Sequence, residues 1–125
     1  MRRAARRILV LLFGLLVPLS ASAGETKLSG AEVTEALTGN TAIYKGGVIK
    51  QFFSESGATP YWDGSRLTRG IWRVTGDQYC SVWPPSNAWS CYDMYSTEDG
   101  GIVWVGSRGD RYLATMVSGD QMAAQ

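Results

Sequence analysis

Cys80 and Cys91 are the only cysteines of this 125-residue chain, and no histidine accompanies them. Two thiols can form a disulfide, hold a metal or carry redox chemistry. The spacing here is not Cys-x-x-Cys, and without histidine a mixed zinc site has no nitrogen ligand. An even pair in a chain bound for an oxidising compartment reads as a disulfide. Closing a loop of this length is expected to stabilise the fold by roughly 3 kcal/mol in the chain-entropy treatment.

The lack of histidine also removes Ser-His-Asp and Cys-His nucleophile systems. Ser54-Glu55-Ser56-Gly57 superficially matches a nucleophile elbow, but it lacks the preceding glycine and the strand-turn-helix setting, so it reads as a turn. Glu55, Asp63, Asp93, Glu98, Asp99 and Asp110 could pair as the acid and base of a glycosidase or gather around a cation. Glu98-Asp99-Gly100-Gly101, however, lacks the alternating acidic spacing of a calcium loop. Arg108-Gly109-Asp110 matches an adhesion tripeptide and is read as a tight turn. No catalytic residue, metal ligand or cofactor is expected.

Aromatic residues carry the remaining functional signal. All five tryptophans, Trp62, Trp72, Trp83, Trp89 and Trp104, lie in the same stretch of chain as the six tyrosines. Large rings fill small cores, and they also line saccharide or apolar-ligand sites and dominate protein interfaces. Trp62 beside Asp63-Gly64, and Trp83 and Trp89 flanking Pro84-Pro85, stand nearest to turns. These three are the candidate ligand- or partner-binding residues.

The N-terminus determines the compartment. Arg2, Arg3, Arg6 and Arg7 precede an apolar run from Ile8 to Leu19 and then Ser20-Ala21-Ser22-Ala23. That is the pattern of a secretory signal peptide over residues 1–23, with a retained anchor as the alternative. The run is shorter than the roughly 20 apolar residues of a membrane span and holds Gly14 and Pro18. Residues 24–125 are then a single secreted β domain, with no stable membrane insertion after cleavage, located in the periplasm or outside the cell. Four of the 12 basic residues lie in the leader, leaving eight against 11 acidic ones, a net charge of −3. A mildly acidic surface without a basic run argues against nucleic acid as a partner.

Within 24–125, Gly24 to Lys27 reads as flexible, and Leu28 to Gly39 reads as a short helix. Ser29 and Glu32 form a capping box, Leu28 and Val33 a hydrophobic staple, and Gly39 suits the left-handed C-terminal position. From Asn40 onward the apolar period drops to about two, and glycine, proline and aspartate interrupt it at regular intervals. Strands are expected at 41–45, 48–54, 59–62, 67–75, 78–83, 88–95, 102–107 and 112–117. The fold class is mainly β: a small antiparallel barrel or curved meander of about seven or eight strands with one short N-terminal helix, or else a β-sandwich.

A two-residue turn at Gly76-Asp77 sets Val74 opposite Tyr79, Arg73 opposite Cys80 and Trp72 opposite Ser81. Centring the next turn on Pro85-Ser86 sets Cys80 opposite Cys91 and Val82 opposite Trp89. The register chosen from turn residues thus agrees with a cross-strand disulfide. It also sends Trp72, Val74, Tyr79, Trp83, Tyr92 and Met94 to the core face, and Ile71, Arg73, Cys80, Val82, Trp89, Cys91 and Asp93 to the outer face.

Leu37-Thr38-Gly39-Asn40-Thr41 after a short helix, followed by Gly70-x-Trp72-x-Val74-x-Gly76-Asp77-x-x-Cys80-x-x-Trp83 and Cys91-Tyr92, resembles a family of small secreted α-proteobacterial proteins known as a domain of unknown function. The resemblance implies a small periplasmic β domain and supplies no catalytic residue; Pro84-Pro85 departs from the pattern. The expected function is a non-catalytic periplasmic binding module whose aromatic residues hold a small ligand or dock on an envelope protein. A hydrolase inhibitor presenting the stapled hairpin is the alternative, and a carboxylate-based glycan hydrolase of the envelope is the third reading.

Overall fold

A computed structural model describes residues 24–123. The signal-peptide expectation for residues 1–23 lies outside the described residues. The chain forms β1 (Glu25–Lys27), α1 (Gly30–Leu37), β2 (Asn40–Tyr44), β3 (Lys50–Phe52), β4 (Ala58–Trp62), β5 (Leu67–Thr75), β6 (Gln78–Val82), β7 (Ser90–Thr97), β8 (Gly101–Gly106) and β9 (Arg111–Ser118). Strands β2 to β9 each pair antiparallel with the next, and β9 returns to β2 with Tyr44 opposite Ala114. The result is a closed eight-stranded up-and-down barrel; the sandwich alternative is excluded by this closure. Closure gives each of these eight strands a neighbour on both sides, and only the stretch of β7 beyond β6 is left for a further strand.

β1 is the ninth strand, at a position the sequence suggested was flexible. It pairs with the second half of β7, Glu25 opposite Thr97 and Lys27 opposite Tyr95, beyond the point where β6 ends. Its outward side chains are held by charge: Arg111 bonds Glu25, and Lys27 lies 3.9 Å from Asp93. Three residues carry no apolar periodicity, so only the free ladder of β7 could reveal them.

The helix forms where its capping signals stand. The Ser29 hydroxyl accepts from the Glu32 amide at 3.2 Å, and the Ser29 amide donates to the Glu32 carboxylate at 3.0 Å. Asp77, in the β5–β6 turn, accepts from the Gly30 amide at 2.8 Å, so turn and helix start are one joint. Contact there is close: a Cβ on Gly30 would sit 2.1 Å from the Gly76 carbonyl oxygen, a position only glycine can occupy. Val33 and Leu37 are fully buried beneath the helix with Phe53, Trp72 and Met94. α1 therefore stoppers the end of the barrel that carries the turns at 53–57, 76–77 and 98–100.

The expected register is present through the central meander. Val74 faces Tyr79, Arg73 faces Cys80 and Trp72 faces Ser81, while Cys80 faces Cys91 and forms the disulfide. The expected Val82–Trp89 pair does not form: the ladder ends at Ser81 and Ser90. The turn closes one residue earlier than expected, with the Ser86 amide bonding the Trp83 carbonyl at 3.1 Å, so Pro84-Pro85 is its centre. Prolines have no amide to donate, and the chain leaves the sheet around them. Trp89 is paired instead with Arg73, whose guanidinium lies 3.8 Å from the ring centre.

Replacing both cysteines by serine is expected to lower stability by roughly 3 kcal/mol, read from the urea midpoint and slope, with the β-sheet circular dichroism retained at low denaturant. An unchanged midpoint would contradict the staple's role.

Candidate functional site

An eight-stranded barrel encloses an interior just wide enough for its side chains or for one small ligand. This barrel is filled by side chains at one end and opens as a cavity at the other. At the α1 end Phe53 lies edge-on to Trp72 and Tyr79, with ring centres 5.6 and 5.8 Å apart, and stacks on Trp104 at 6.1 Å. At the other end, within the turns at 45–49, 63–66, 83–89 and 107–110, the interior opens as a cavity of about 1060 Å³. That is at the upper edge of the roughly 300–1,000 Å³ usual for small-molecule sites.

Aromatic rings make its walls. Tyr44 leans on Trp104 and Tyr61, Tyr61 lies edge-on to Trp83 at 5.8 Å, and Tyr92 bridges Tyr79 to Tyr112. The strand period explains the set: Tyr44, Tyr61, Tyr79, Tyr92, Trp104 and Tyr112 occupy inward positions. Trp83 needs an additional feature, the absence of a side chain on Gly70. A Cβ there would come within 2.6 Å of the Trp83 ring, so glycine in the middle of β5 forms the seat for that indole.

The floor between packed core and cavity is polar and buried. The Tyr44 hydroxyl donates to Gln51 Oε1 at 2.8 Å, and Gln51 Nε2 donates to Thr59 Oγ1 at 2.9 Å and to Tyr79 Oη at 3.1 Å. Thr59 in turn donates to the Phe52 carbonyl at 2.7 Å. Among the described residues no buried side-chain nitrogen or oxygen lacks a hydrogen-bond partner. Burial raises the Tyr44 phenol well above its ordinary range, and it pushes Tyr79 up to about 12 despite hydrogen bonds from Ser81 and Gln51 that act the other way. Both phenols therefore stay neutral at physiological pH.

Of the tryptophans singled out from sequence, only Trp83 lines the cavity. Trp62 pairs across to Lys50 and Leu67 at the end of β4, and Trp89 sits on the outer face beneath Arg73, 36% exposed. The barrel does not bring the carboxylates together. Asp63 caps its own turn by accepting from the Ser65 and Arg66 amides, which holds its carboxyl below the usual range. Asp93 bonds Gln78 on the outer wall, Asp99 is tied to Thr97 in the β7–β8 turn, and Glu55 lines a separate 390 Å³ cleft beside α1. Among the described residues no carboxylate lines the large cavity, and no three metal-ligating side chains meet. Ser54 and Ser56 bond one another in the β3–β4 turn, as a turn reading requires.

The polar floor went unrecognised in the sequence, although its signal was present: Gln51 stands two residues before Phe53 and so shares its inward face. Comparison of the chain with protein-family models, curated proteins and solved structures finds no match, so its own geometry is the basis for a functional reading.

A phenol whose folded-state pKa is raised contributes stability that is complete below the unfolded value near 10 and is lost as pH climbs through the folded value. Unfolding is therefore expected to become steeply easier between pH 10 and about 12, where Tyr79 ionises. Tyr79→Phe should flatten this loss, measured by thermal melting across that range. An equally steep loss in the variant would contradict the buried assignment.

Proposed function

We propose that this protein is a non-catalytic binding module of the cell envelope that holds a small, largely apolar or saccharide-like ligand in the open end of its barrel. One observation carries the reading: a 1060 Å³ cavity walled by tyrosine and tryptophan rings lies opposite the helix-stoppered end. Flat rings present broad apolar faces at low conformational cost, and few polar groups suffice to orient a guest among them. Envelope localisation rests on the leader pattern of residues 1–23 and on the Cys80–Cys91 disulfide, which is the chemistry of an oxidising compartment. Among the described residues no helix is long and apolar enough to cross a membrane.

A second reading, docking of the stapled hairpin on an envelope protein or a hydrolase, draws on the exposure of Trp89. Its ring is covered on one face by Arg73 on the outer wall, and it does not line the cavity. The glycan-hydrolase reading has little support, since the cavity wall supplies hydroxyls, rings and the cations Lys45 and Arg111. The family resemblance carried by the Gly70–Trp83 run is compatible with either binding role.

The protein should be recovered from periplasmic extract under native conditions and its bound material analysed by mass spectrometry. A co-purifying small molecule is expected; Trp83→Ala should lose at least about tenfold of its occupancy, and Trp89→Ala should keep it. Recovery of a protein partner that disappears with Trp89→Ala, and no small molecule, would overturn the ligand reading in favour of docking.

A further inference from the structure

The cavity floor can be resolved proton by proton, because one of its partners has no choice. The Phe52 carbonyl can only accept, so the Thr59 hydroxyl donates to it at 2.7 Å. Thr59 Oγ1 must then accept from Gln51, which turns the amide nitrogen of Gln51 toward Thr59 and its oxygen away. The amide orientation is thus fixed by the backbone. Gln51 Oε1 takes the Tyr44 proton at 2.8 Å, and the second amide hydrogen goes to Tyr79 Oη at 3.1 Å.

Two consequences follow at the cavity surface. Tyr44 has spent its only proton on Gln51, so what its oxygen can still offer is lone pairs. Tyr79 already accepts from Gln51, and its other neighbour is the Ser81 hydroxyl. Because Gln51 donates to it, Tyr79 has not spent its own proton there, and that proton is left over at the floor. Tyr44, Tyr79 and Ser81 all line the cavity. The floor therefore holds one unspent acceptor and one unspent donor, with no formal charge. The cavity's cations, Lys45 and Arg111, are at the strand ends next to the mouth, and Arg111 is bonded to Glu25.

We infer that the ligand is an uncharged molecule that enters head first, seating a hydroxyl group on Tyr44 and the Tyr79–Ser81 pair while its apolar ring body lies against the joined rings of Tyr61 and Trp83. A hydroxyl both donates and accepts, so it complements the floor with one group. A carboxylate or ammonium head would lose its hydration to a floor that carries no opposite charge. A purely apolar guest would leave the unspent donor and acceptor dry, and a site built for a hydroxyl penalises the analogue that lacks it. This inference rests on the ligand-binding reading above and adds polarity and orientation to it.

Three probes of the same shape separate the alternatives: 2-naphthol, naphthalene and 2-naphthoate, titrated at pH 7 into the 15N-labelled protein. The resonances followed are the Trp83 indole N–H, which reports entry, and the Gln51 side-chain amide, which reports contact with the floor. 2-Naphthol is expected to bind about tenfold more tightly than either analogue and to shift both resonances. Naphthalene is the more hydrophobic of the neutral pair, so an indifferent greasy well would reverse that order. Tyr44→Phe should reduce 2-naphthol to the affinity of naphthalene without altering naphthalene itself. If that variant fails to fold with Gln51 left unpaired, the order of the three probes on the unaltered protein decides the question by itself.

Naphthalene equal to or tighter than 2-naphthol would overturn the hydroxyl-reading floor while leaving the binding well intact. Tightest binding by 2-naphthoate would overturn the neutral head and transfer recognition to the Lys45 rim. No shift of Trp83 with any probe would overturn the ligand-binding reading itself, and this inference with it.

Discussion

Gln51 must satisfy three hydrogen-bonding positions inside a barrel where only 4% of its surface reaches solvent. Tyr44, Thr59 and Tyr79 supply them from three other strands, and each of those residues is placed by the same two-residue strand period that places Gln51. A buried amide left short of one partner costs about 1–3 kcal/mol, so the four strands cannot slip past one another without losing a sizeable part of the domain's margin. The network acts as a lock on register. It also divides the interior: below it rings pack on rings under the helix, and above it the rings face a cavity.

That division explains why a barrel of this size needs a helix at only one end. The turns at 53–57, 76–77 and 98–100 leave an apolar opening, which Val33 and Leu37 fill, and the Asp77–Gly30 bond fastens the stopper to the β5–β6 turn. The opposite turns, at 45–49, 63–66, 83–89 and 107–110, frame the mouth. The disulfide lies just below the mouth on the outer wall, between β6 and β7, where the proline turn takes the chain out of the ladder. It holds the two strands together at the point where backbone pairing stops, and Trp83 hangs from the first residue beyond β6. Staple, Gly70 seat and Trp83 wall are thus one local assembly.

Much of this was legible in the sequence. Ser29, Glu32 and the staple residues specify the helix through contacts within a few positions, and Gly76-Asp77 with the cysteine spacing specifies the meander register. The barrel's closure was less legible, since pairing of β9 with β2 joins residues 70 or more positions apart and leaves no local mark. The floor was only partly legible for a related reason: the period places Gln51 inward, but Gln51, Thr59 and Tyr79 become a site only when three strands align. Trp62 and Trp89 do not line the cavity: closeness to a turn in sequence does not tell which face of the sheet a ring occupies, and Trp83 faces inward while they do not.

On the proposed reading, the open end of the barrel is a binding well with a polar floor, distinct from the outer hairpin. The most direct measurement is a crystal structure of the protein soaked with 2-naphthol. Density is expected against the rings of Tyr61 and Trp83, with the naphthol oxygen in hydrogen-bonding reach of Tyr44 and of Tyr79 or Ser81. An empty well, with naphthol seated against Trp89 or in the cleft beside the helix, would contradict it.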